Sequence, residues 1–192
     1  MRPSIDALVS VAYTAGGRGD RAAADAALHH AQLILSTVVH HSNMMIAKRR
    51  ARDLRGQARL DALTEASDHA RRAYHGAQML CDVVDMLRMS LQWSGILVDV
   101  GQMSYAIHVL LESLEVAHKA PPQARTRQFQ CLHEAIVSRV ACLIDRWVAG
   151  GEAAPHMVRL WVKALRRIGV TLTLAERVPV RARRSPDAEA AE

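Results

Sequence analysis

The stretch Lys48-Arg49-Arg50-Ala51-Arg52-Asp53-Leu54-Arg55-Gly56 decides the fold, because it separates two long helical patterns. Upstream, from Arg21, the residues Ala24, Leu28, Ala31, Leu35, Val38, Ser42 and Met45 step by alternating fours and threes, the spacing of an a/d seam. Downstream, Leu63, Ala66, Ala70, Ala73, Ala77, Leu80, Val84, Leu87 and Leu91 repeat the same steps without a polar interruption. The two seams share one phase, since counting on from Met45 passes through Arg49, Arg52, Gly56 and Arg59 to reach Leu63. One continuous helix over this span would be roughly 100 Å long and would need a second chain to cover it. A hairpin at Gly56 instead lays Arg49 and Arg52 against Asp61, Glu65 and Asp68 on the returning helix. Compactness favours the hairpin. The expected fold is therefore all-α, a helical bundle of about five helices dominated by two long amphipathic segments, 21–55 and 57–92.

Outward from this pair the chain reads as shorter helices with recognisable stops. Ile5 to about Thr14 suits a short helix, broken by Gly16-Gly17-Arg18-Gly19, and Asp20 is placed to cap the long helix after it. Ser94-Gly95 and Gly101 bracket an expected break around Ile96-Leu97-Val98. Met103, Ile107, Leu110, Leu114 and Ala117 then mark a helix that Pro121-Pro122 end. Another begins near Thr126 with Phe129, Leu132, Ile136, Val140, Leu143 and Trp147, and Pro155 opens a last one closed by Gly169. Residues 1–178 read as a single domain, and 179–192, rich in Arg, Ala and Glu, as a disordered tail.

Composition agrees with an all-helical core. Aromatic residues make up 4% of the 192, so Leu, Val, Ile, Ala and Met must fill the interior, and Ala and Leu favour helix. Cys81, Cys131 and Cys142 form no CxxC pair and no even set, which predicts buried free thiols in a reducing compartment. Asp6 interrupts the apolar start of the chain, so no signal peptide is expected, and no apolar run approaches the length of a membrane span. The expectation is a cytoplasmic protein without membrane contact. The net charge of +6 is laid out unevenly: residues 1–59 carry +5, 60–120 carry −4 and 121–169 carry +5. Packing the middle against the ends satisfies such an order internally.

Candidate chemistry is thin. His29-His30 and His40-His41 stand eleven apart, whereas chelation on one helix needs a partner three or four residues away, so they read as a solvated polar face. Glu115-Val116-Ala117-His118 matches a single Glu-x-x-His element, and no second one occurs to complete a di-iron site. His133-Glu134 begins like a zincin helix, but Val137 stands where the second histidine belongs. Asp82 with Asp85, and His108 with Glu112, have no nucleophile or oxyanion donor placed beside them by the sequence. No catalytic residue, metal ligand or cofactor site is assigned.

Two features point to binding. The alanine-lined seam Leu63, Ala66, Ala70, Ala73, Ala77 and Leu80 suits close docking of a helix, and the seams together suggest a non-enzymatic helical interaction module, an adaptor, chaperone or regulator engaging another protein or itself. The alternative is a nucleic-acid-associated protein, touching phosphates through the basic cluster Lys48, Arg49, Arg50, Arg52, Arg55 and Arg59. Arg159, Lys163, Arg166 and Arg167 form a second basic group, and Arg181, Arg183 and Arg184 a third. Nucleic acid is the less favoured partner, because no aromatic side chains interleave with the arginines to stack on bases.

Overall fold

The computed structural model describes residues 3–171, and these are all-helical, with no strand among them. The described residues form seven α-helices in order: α1 (Ile5–Gly17), α2 (Arg21–Asp53), α3 (Gly56–Met79), α4 (Val83–Asp99), α5 (Met103–His118), α6 (Arg127–Ala149) and α7 (Pro155–Arg167). The expected tail at 179–192 lies outside the described residues.

Local chemistry sets several of the boundaries. Ser4, Asp20, Asp82 and Thr126 each cap a helix by accepting from the backbone N–H three residues on, at 2.9 to 3.2 Å. Between α2 and α3 lie only Leu54 and Arg55, both extended, and Gly56 opens α3 at φ +55°. A side chain is strained at that angle, so the glycine serves the turn. Beyond it α3 runs back along α2: His40 meets His69 and Arg50 meets Glu65.

The count of about five helices is corrected to seven, chiefly because 57–92 is not one helix. Leu80 caps α3, Cys81 adopts φ +53°, and the Asp82 N–H returns to the Ala77 carbonyl at 3.0 Å before α4 begins. The seam continues in phase across this kink, which is why periodicity alone conceals it. The expected break at Ser94-Gly95 is also corrected, since α4 runs through it. Ser90 and Ser94 donate their hydroxyls to the Leu87 and Leu91 carbonyls of their own helix, so neither needs a turn. The chain breaks instead at Gly101, φ +80°.

The main core lies where α3, α4, α5 and α6 meet, with α7 closing one side. Its bulk is Leu87, Ile96, Leu97, Ile107, Leu110, Leu114, Ile136, Leu143 and Ile144, all buried. α3 contributes mostly alanines, so that α2 lies close along it. Gly76 is required there, because a Cβ at that position would overlap Thr37 Oγ1 on α2. Trp93 donates Nε1–H to Ser67 Oγ at 3.0 Å and packs against Tyr74, tying α4 to α3.

Candidate functional site

Helix α2 is 33 residues long and is packed chiefly by α1 and α3. Its inward face is Ala27, Ala31, Ile34, Thr37, Met44, Ala47 and Ala51. The seam read from the sequence is therefore the wrong face for the monomer's core, with Ala31 the one shared buried position. Leu28, Leu35, Val38 and Met45 are exposed, Leu35 by 53%. The physical reason is size. Against alanine-rich α3 and short α1 the inward side of α2 is mostly small residues, with Ile34 and Met44 the large ones it admits, and most of the large apolar residues are left on the other side.

Val39 and Ile46, one position beyond Val38 and Met45, are exposed as well, and Ile46 by 64%. Leu28, Leu35, Ser42 and Arg49 recur every seven residues, as do Val38, Met45 and Arg52, and Val39, Ile46 and Asp53. These rows form one apolar stripe that begins at Leu28 and ends in charge at Arg49. Val11 and Tyr13 of α1 are also exposed, so eight of the twelve exposed large apolar residues among those described lie on α1 and α2. Sequence reading missed Val39 and Ile46, although their seven-residue spacing was visible. It missed that the stripe faces outward because periodicity identifies a face without saying what covers it.

The alanine-lined seam of α3 has the opposite fate. Leu63, Ala66, Ala70, Ala73 and Ala77 are buried within the chain and Leu80 is half-buried. Helices α2 and α4 already occupy it.

The basic cluster gathers at the corner where α2 ends and α3 begins. Arg49, Arg50, Arg52, Arg55 and Arg59 are exposed and Lys48 is half-buried. Arg50 pairs with Glu65. The expected apposition of Arg49 and Arg52 with the α3 carboxylates is corrected: Asp61 accepts from Gln57 at 2.7 Å and Asp68 pairs with Arg71 at 3.3 Å. Arg50 and Arg52 sit in the last turn of α2, where the helix dipole favours a cation. In α7, Arg159, Lys163, Arg166 and Arg167 are exposed, and the third basic group lies outside the described residues.

The histidines are less solvated than their spacing implies. His40 is half-buried, with its Nδ1 3.1 Å from His69 Nδ1, so one ring donates and the other accepts. Burial pushes the His40 pKa down, and the neighbouring His69 and Arg72 push it the same way. All three cysteines are exposed, correcting the expectation of buried thiols; Cys81 lies in the α3–α4 turn, and Cys131 and Cys142 on the outward side of α6. Among the described residues no three His, Cys, Asp or Glu side chains converge to hold a metal ion. Nor is any helix among them long and apolar enough to cross a membrane. An open depression of about 460 Å³ is lined by Tyr105, His108, Trp147, Glu152 and Trp161. There Trp147 stacks on Trp161 and donates to Glu152 at 3.2 Å, so its polar edge is engaged within the fold.

Comparison with protein-family models, with curated proteins and with solved structures finds no match to this chain.

Proposed function

We propose that this protein is a non-enzymatic helical interaction module, presenting the outer face of α2 to another protein or to a second copy of itself. The observation that supports this is the contiguous stripe Leu28, Leu35, Val38, Val39, Met45 and Ile46, left in solvent by a fold that buries the opposite, mostly alanine side of the same helix. A chain in water gains nothing from exposing such a row, and large contiguous apolar patches mark interaction surfaces. A reducing setting such as the cytoplasm belongs to the same reading, supported by three exposed free thiols.

Leu35→Glu and Ile46→Glu test it, because neither side chain supports the core. Native extracts are cross-linked with wild-type and variant protein, and thermal unfolding is followed in parallel. The expected result is loss of the wild-type cross-linked species, with an unchanged unfolding temperature at concentrations low enough to keep the chain monomeric. Identical cross-linking profiles for wild type and variants overturn the reading.

The basic corner favours a second reading, contact with nucleic-acid phosphates through Arg49, Arg52, Arg55 and Arg59. Binding to DNA or RNA that falls steeply with salt, and falls again when Arg49, Arg50 and Arg52 become Ala, would support it. Absence of binding at low salt ends it.

A further inference from the structure

We infer that the occupant of the α2 stripe is a second copy of this chain, its α2 packed antiparallel against the first across a two-fold axis near residues 36–38. The inference rests on the interaction-module reading and names its partner.

Three observations carry it. The stripe is a heptad surface in three rows, each with two apolar residues seven apart, and that spacing suits a helix packed along a second helix. Its apolar part is nearly symmetric about its centre: Leu28 and Ile46 are equally distant from residue 37, as are Leu35 and Val39. An antiparallel pair therefore sets Leu28 against the partner's Ile46 and Leu35 against the partner's Val39. Val38 falls beside its own copy at the axis, and Met45 one position from the partner's Leu28. This is the self-complementarity that a two-fold interface requires.

The third observation is charge, and it decides orientation. The stripe is flanked at its start by Arg21 and Asp25, and at its end by Lys48, Arg49, Arg50, Arg52 and Asp53. In the antiparallel register Asp25 falls beside the partner's Arg49 and Arg50, and Arg21 beside the partner's Asp53. A parallel pair would align the Lys48–Arg52 run with its own copy, concentrating like charge at the end of the contact. Asp25 and Arg49 are exposed and so available for this pairing, whereas Arg50 already pairs with Glu65 within its own chain.

The experiment begins with light scattering of the full chain over a wide concentration range. A mass rising towards twice 21.1 kDa is expected, and Leu35→Glu or Ile46→Glu should raise the dissociation constant at least about tenfold. Asp25→Arg should weaken association, and Arg49→Glu added to it should restore part of the loss. Orientation is read from disulfide cross-linking after Cys81, Cys131 and Cys142 are replaced by Ser. Leu28→Cys combined with Ile46→Cys should cross-link two chains, and Leu28→Cys alone should not. Cross-linking by Leu28→Cys alone overturns the antiparallel arrangement. A mass of 21.1 kDa at every concentration overturns self-pairing altogether. In that event, a species from native extract that is lost in Leu35→Glu keeps the interaction-module reading, and its absence removes both.

Discussion

In α4 and α5, Leu87, Ile96, Leu97, Ile107, Leu110 and Leu114 are buried, and small residues fill the gaps between them. In α1 and the first half of α2 the sizes are mostly inverted: Ala12, Ala27 and Ala31 are inside with Ile34 the large exception, while Val11, Tyr13, Leu28, Leu35, Val38 and Val39 are outside. Those four inward residues also stand apart from the main core. The two regions draw on the same amino acids, so apolar content does not determine burial. It is set by how many neighbours an element has. Helices α4 and α5 are packed on several sides, whereas the start of α2 has chiefly α1 and α3.

The sharpest way to break this contrast is to truncate one leucine in each region. Leu110→Ala should destabilise by about 2–5 kcal/mol in denaturant melts, through lost burial and a cavity. Leu35→Ala at low protein concentration should stay within about 0.5 kcal/mol of wild type. Equal losses would show that the stripe is already covered within one chain. At the join between the regions, Gly76→Ala should cost about 1–3 kcal/mol by overpacking against Thr37, less the gain of about 1 kcal/mol in helix propensity. Thr37→Ala added to Gly76→Ala should recover most of the loss, since it removes the hydroxyl that a Cβ would meet.

Within the N-terminal region, Asp20→Ala removes the α2 cap and should cost about 1 kcal/mol. Hydrogen exchange should place that loss in α1 and the start of α2, leaving α4 and α5 protected, because regions with few neighbours open on their own.

The smallest effect is titration at the α2–α3 contact. His40 has its folded pKa below the ordinary histidine value, chiefly through burial, and His133 behaves likewise. Between the folded and unfolded pKa the unfolded chain binds more protons. The stability is therefore fully present above the unfolded value of 6.5 and is lost as pH falls through the folded one. Unfolding temperature should decline from pH 7.5 towards pH 5, and His40→Gln should flatten part of that decline. An unchanged slope in His40→Gln would remove His40 from the account.

Much of the architecture was legible in the residues. Thr126 and Asp20 announce helix starts, and Pro121-Pro122 and Gly169 announce stops; the alanine row of α3 was legible as a seam for close helix docking, but not that α2 and α4 of the same chain fill it. The kink at Cys81 was not legible, because a non-glycine residue in the left-handed region leaves the heptad phase undisturbed on both sides. The candidate surface was half legible. Leu28, Leu35, Val38 and Met45 stand in the seam, but a seam facing solvent and a seam facing the core have the same spacing.

By itself the sequence determined that the chain is helical, where most helices begin, and that α2 carries a row of large apolar residues at coiled-coil spacing. Those are local matters, decided by propensity, caps and periodicity along one chain. Which side of α2 faces inward was decided only by the tertiary structure. A helix with two apolar sides has no intrinsic preference between them. The choice fell to α3, whose alanines and Gly76 bring α2 close, so that its inward side is mostly small residues with Ile34 and Met44 among them, and turned most of the larger ones to the outside.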